Sequence, residues 1–134
     1  MTKKELSQYY YLGKEIRADE RRLKELEAKA TSVTQKIKPT PGGGGAGDKI
    51  GFYAPQIAEQ KQLIELKMRQ CIILQNKILK YINGIESSFM RQIFTHRYID
   101  CYSWTRIAVN IGGNNTADSV RKAHDRFLYK LDSL

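Results

Sequence analysis

Cysteine, proline and tryptophan are scarce in this sequence, which holds two, three and one of them among 134 residues. Two lone thiols, Cys71 and Cys101, exclude a disulfide framework and read as small apolar residues in a reducing compartment. With His96 and His124 they complete the set of soft ligands, and none is paired at the short spacing that structural zinc uses. No metal or other cofactor is expected. No run approaches the ~18 apolar residues that span a bilayer. The opening Met1, Thr2, Lys3, Lys4 and Glu5 lack the apolar core of a signal peptide, so the protein is expected to stay in the cytoplasm. A chain this short leaves little room for an enzyme with a separate substrate domain. His124 is expected to pack rather than act as a base, and no catalysis is expected.

Basic charge is what the chain has in excess. Lysine and arginine number 23 against 14 acids, giving a net charge of +9 and an isoelectric point near 9.6. Such a surface attracts polyanions before any contact is specified. Nucleic acid ranks first. An anionic membrane ranks last, because acids are interspersed throughout and the apolar stripes lack the bulky Trp and Phe of interfacial anchors.

From Thr2 to about Lys38 a seven-residue repeat places Tyr9, Ile16, Leu23, Ala30 and Ile37 on one line, with Leu12, Leu26 and Val33 three residues further on. This is a helix with a narrow apolar seam, interrupted at Asp19. Thr2 followed by Glu5 is a capping-box pattern for its start. Tyr9, Tyr10 and Tyr11 straddle the seam and are expected to pack there rather than stack on bases. Residues 39–54 form a Gly-rich connector. Its stretch Gly42–Lys49 approximates a phosphate-binding loop but has Asp48 where the lysine belongs, so a linker is the better reading. A second long helix is expected from Pro55, a suitable first helical residue, to Asn83 and Gly84. Ile57, Ile64, Cys71 and Ile78 keep heptad spacing on it. At 1.5 Å per residue the two helices would reach about 55 and 45 Å, matched lengths for an antiparallel hairpin or for pairing between two copies.

The last fifty residues predict three shorter helices. Glu86–Ile99 turns Phe89, Ile93 and Phe94 inward; Ser103 caps a helix ending at Ile111; Gly112 and Gly113 stop it; and Thr116–Leu131 forms the last. This succession matches a helix-turn-helix. The expected architecture is therefore all-α: a long N-terminal helical hairpin or coiled coil over residues 1–84, then a three-helix helix-turn-helix module over 85–134.

On the last helix Val120, Ala123, Phe127 and Leu131 share one face and should pack on Trp104, Ile107, Ala108 and Ile111. Asn115, Asp118, Lys122 and Asp125 take the opposite side, near the end that enters a major groove in this motif. Lys122 suits guanine O6 and N7, Asn115 suits adenine, and Asp118 suits cytosine N4. Arg106, Arg121 and Arg126 suit phosphates, which give affinity and register without reading sequence. Asp118 and Lys122 are also an i,i+4 pair at home on any solvated helix.

Arg97, Tyr98 and Ile99, then Ser103 to Ala108, then Val120 to His124 with Phe127 and Leu128, resemble phage transcriptional regulators of the ArpU and RinA type. Those are similar in turn to the fourth region of bacterial sigma factors. The resemblance covers about the last fifty residues well and the long helical pair before them more loosely, and the turn Gly112 to Asn115 is longer and more polar than is usual there. It implies a phage or prophage protein acting at a late-gene promoter, and no catalysis; double-stranded DNA is the expected partner, with RNA polymerase as a further candidate. Homo-oligomerisation through the long helices would couple two half-sites. The rival readings are a structural DNA adaptor, such as a small packaging subunit, and a sigma-like protein that docks on RNA polymerase.

Overall fold

The computed structural model describes residues 1–32 and 46–132. All regular structure among them is helical: α1 (Lys3–Ser32), α2 (Ala46–Asn83), α3 (Ser88–Phe94), a π-helical turn (Thr95–Ile99), α4 (Trp104–Ile111) and α5 (Ala117–Asp132). The far end of the expected seam, Val33 and Ile37, and residues 39–45 of the connector lie outside the described residues. Residues 46–54, expected to belong to that connector, are the first turns of α2. Pro55 therefore sits inside the helix rather than at its first position. Having no N–H, it cannot donate to the Gly51 carbonyl four residues back.

The described residues form two compact units, one of Met1–Leu12 with Cys71–Leu134 and one within Gly13–Gln70. The expected boundary at residue 84 lies within the first, because Leu6, Ile78 and Ile82 share a core with Ile93, Phe94, Ile107, Val120 and Leu128.

In the unit within Gly13–Gln70, α1 and α2 run antiparallel. Ile16, Leu26 and Ala30 of the seam are buried with Ile64 and Gln60. Asp19, the residue that breaks the apolar repeat, accepts from Lys67 Nζ at 2.5 Å, and Glu15 lies 2.9 Å from the same ammonium. Gln60 Nε2 donates to the Asp19 carbonyl at 2.8 Å. A charge in the seam thus has a specific partner, and slipping the helices by one turn would separate them. This is the way a polar seam residue fixes register.

In the other unit the first turn of α1 closes as a reciprocal box. The Thr2 N–H donates to Glu5 Oε2 at 2.8 Å and the Glu5 N–H to Thr2 Oγ1 at 3.2 Å. Leu6, outside the counted heptad, is fully buried, whereas only Tyr9 of the tyrosine run turns inward, where Gln75 donates to its hydroxyl at 3.2 Å. Tyr10 and Tyr11 are exposed, Tyr11 by 60 %. The expectation that all three pack in the seam fails because at 100° per residue positions 10 and 11 leave the line that 9 defines.

Ser87 caps α3 by accepting from the Met90 N–H. α3 starts there instead of at Glu86, and Phe89, expected inward, is 39 % exposed, while Ile93 and Phe94 are fully buried. Beyond Phe94 the chain widens into the π turn, in which the Asp100 N–H reaches the Thr95 carbonyl at 3.0 Å. Such wide turns change which face a residue presents. Here Tyr98 is carried into the core. Ser103 then caps α4, accepting from the Arg106 N–H at 3.2 Å.

Gly112 ends α4 at φ +77°, ψ −160°, with its N–H on the Ala108 carbonyl. An added Cβ there would meet no atom within 4 Å, so only backbone strain opposes one. Gly112→Ala is therefore expected to lower unfolding free energy by about 1–3 kcal/mol without changing the fold, as read by urea denaturation followed by circular dichroism.

Candidate nucleic-acid interface

The turn from Gly112 to Thr116 leads into α5, which packs on both α3 and α4. Thr116 and Ser119 cap it reciprocally: the Ser119 N–H donates to Thr116 Oγ1 at 3.1 Å and the Thr116 N–H to Ser119 Oγ at 2.9 Å. Ser119 here takes the place that Glu or Gln holds in the usual capping box.

The inner face of α5 is Val120, His124 and Leu128, all buried, with Ala123 and Phe127 half-buried beside them. Leu131, expected on this face, is 42 % exposed. The face thus centres on His124, which counting apolar residues alone places at its edge. The imidazole is fully enclosed, touching the rings of Phe94, Tyr98 and Trp104. Its Nδ1 lies 2.9 Å from Asp125 Oδ1, and its Nε2 meets the Tyr98 hydroxyl. A carboxylate only accepts, so Nδ1 carries the proton. In the neutral ring Nε2 then accepts from the Tyr98 O–H.

Burial holds the His124 pKa below its ordinary 6.5, the Asp125 carboxylate opposing this and Lys3 and Arg97 adding to it. The unfolded chain therefore binds the proton more readily than the folded one. The stabilisation is complete above pH 6.5 and is lost as pH falls through the lower folded value. The urea midpoint is expected to drop between pH 7.5 and 5, and this drop should flatten in His124→Gln.

The outer face at the start of α5 is polar and exposed. Asp118 Oδ1 accepts from Arg121 Nη2 at 2.6 Å, and Asp118 Oδ2 is 2.9 Å from Lys122 Nζ. The donated bonds of Lys122 and Arg121 hold the Asp118 carboxyl below the usual carboxylate range. Three of the six expected site residues therefore form one cluster carrying a net positive charge. Arg126 follows one turn later, its Nε donating to the Lys122 carbonyl at 3.4 Å. Asn115 precedes the helix. Its Nδ2 donates to the Gly112 carbonyl at 2.9 Å, which leaves one N–H and Oδ1 for any outside partner.

Arg106 belongs to α4, where its guanidinium lies 3.8 Å from the Tyr102 ring centroid. Arg97 similarly lies 4.2 Å from the Trp104 ring centroid and donates to the Tyr102 carbonyl at 3.0 Å. Neither has an ion-pair partner among the described residues, so both positive charges remain available to an anion. The Arg97–Trp104 pair spans a π turn and a corner, and no regular periodicity in the sequence points to it.

Among the described residues no group of three or more His, Cys, Asp or Glu side chains is placed to hold a metal ion. None of the helices among the described residues is long and apolar enough to cross a membrane. Comparison with known protein families, with curated proteins and with solved structures finds no match for this chain.

Proposed function

We propose that this chain is a DNA-binding transcriptional regulator of a phage or prophage, reading promoter duplex through the N-terminal half of α5. One observation carries the reading. A capped helix follows a glycine turn after α4, is closed on its inner side by Val120, His124 and Leu128, and presents Asp118, Arg121 and Lys122 outward. That is the form of a recognition helix. Lys122 takes the role of guanine reader, Asp118 that of cytosine N4 acceptor and Asn115 that of adenine reader, while Arg106, Arg121 and Arg126 hold phosphates. The phage and promoter context rests on the resemblance to the ArpU and RinA regulators.

Base readout is tested by selecting duplexes from a random pool with the wild-type chain and with Lys122→Ala. The variant is expected to lose discrimination at one base pair by about 1–3 kcal/mol while keeping general affinity. An unchanged selected sequence would remove Lys122 from readout.

A second reading, an oligomeric structural DNA adaptor, is favoured by Leu63, Leu66 and Met68 on α2, which are exposed apolar side chains. Measuring solution mass separates the two. A dimer fits a regulator on paired half-sites, and a larger ring fits the adaptor.

A further inference from the structure

Ser7, Tyr10 and Tyr11 lie at i, i+3 and i+4 on one face of α1 and border a cavity of about 350 Å3. Its other wall is the corner from Arg97 to Ser103. Four tyrosine rings and one guanidinium contribute to the lining, and no carboxylate does. The nearby Asp100 is engaged with His96 at 2.9 Å. Arg97 uses one of its five N–H groups on the Tyr102 carbonyl, with its plane held against Trp104. At the rim Cys101 adopts φ +59°, a left-handed conformation that a cysteine rarely takes. Backbone of this kind concentrates at ligand sites.

The exposed Tyr11 ring, near an arginine with no ion-pair partner among the described residues, suits a ligand with two parts, a flat ring to stack and an anionic group to hold. We propose that this cavity binds a nucleotide unit, its base stacked on Tyr11, to which the Tyr10 ring stands edge-on at 5.4 Å, and its phosphate held by Arg97. The same chemistry is offered by a free mononucleotide and by an unpaired nucleotide within a single strand. The site is separate from the outer face of α5 and does not rest on the duplex-binding reading.

Trp104 is the only tryptophan in the chain and stacks on the arginine that lines the cavity, so its fluorescence reports on occupancy. The full chain is titrated with adenosine monophosphate, with adenosine, with inorganic phosphate and with a short single-stranded oligoadenylate, exciting at the red edge of indole absorption. A saturable change with the mononucleotide assigns a small-molecule effector, and one with the oligonucleotide alone assigns a strand. Either result should weaken about ten-fold or more in Tyr11→Ala, an exposed position, and recover in Tyr11→Phe. Adenosine and phosphate should each bind more weakly than the two joined. Absence of a saturable change up to roughly 10 mM mononucleotide together with none for the oligonucleotide would overturn the proposal. So would equal binding by Tyr11→Ala, or a mononucleotide response abolished in Arg121→Glu/Lys122→Glu, which leaves this cavity intact.

Discussion

Reversing both cations of the α5 cluster, Arg121→Glu with Lys122→Glu, is expected to weaken duplex binding on the order of 100-fold or more. The reasoning starts from exposure. Both side chains project from the helix, and their carboxylate partner Asp118 is itself exposed, so the substitutions open no cavity and leave no buried charge unpaired. In the wild type two cations outweigh one anion; in the variant three carboxylates crowd the same turn. A phosphate approaching that turn meets repulsion in place of attraction. Both positions are exposed, where substitutions usually change stability by no more than about 0.5 kcal/mol, so the fold should be retained. Circular dichroism should therefore match the wild type while mobility-shift affinity collapses. Retained DNA binding in a folded variant would remove the outer face of α5 from the interface. If RNA polymerase binding persists while DNA binding is lost, the two activities use different surfaces.

The second large effect is on stability. Phe94 is fully buried and its ring centroid lies within 5.1 to 6.3 Å of those of His124, Phe127, Tyr98 and Tyr81. These partners come from α2, the π turn and α5, so one side chain joins three parts of the core. Phe94→Ala removes the buried ring and leaves a cavity whose walls are fixed by separate helices and can collapse only partly. The expected loss is about 3–5 kcal/mol, a large share of the stability of a domain this size. Tyr129→Ala, at an exposed position on α5, is the control and should change stability by no more than about 0.5 kcal/mol. Urea midpoints of the two variants measure the contrast. A loss below 1 kcal/mol for Phe94→Ala would mean that this core is not the centre of the fold.

The parts of the structure legible in the sequence are those set by local rules. Thr2 with Glu5, Ser103 before α4, and the glycine pair after Ile111 each satisfy or end a helix through neighbouring atoms, and each does so as expected. The seam of α1 was also readable, because a seven-residue period needs only a straight helix. What was not legible depends on partners distant in sequence. Leu6 lies off the counted heptad, yet it is buried with Ile78 and Ile82 of α2. His124 was expected to pack, but its place at the centre of the α5 face rather than at its edge depends on Tyr98, whose hydroxyl meets Nε2, while the neighbouring Asp125 takes Nδ1. The π turn after Phe94 leaves no mark in the residue pattern, and with it went the inward placement of Tyr98 and the stacking of Arg97 on Trp104. In the candidate site, the clustering of Asp118, Arg121 and Lys122 followed from helical spacing. The use of the Asn115 amide within its own turn did not, because it depends on the backbone conformation at Gly112.

The central claim is that α5 and its flanking arginines bind duplex DNA, and its most direct test is equilibrium binding of the full chain to fragments spanning its own gene and neighbouring promoters over a series of salt concentrations. Three phosphate contacts, by Arg106, Arg121 and Arg126, should give a slope of log affinity against log salt of about −3, at about −0.9 per contact. One fragment should be preferred at every salt concentration. Equal, weak binding to all fragments, or none at low salt, would contradict the claim and leave the basic charge serving another partner.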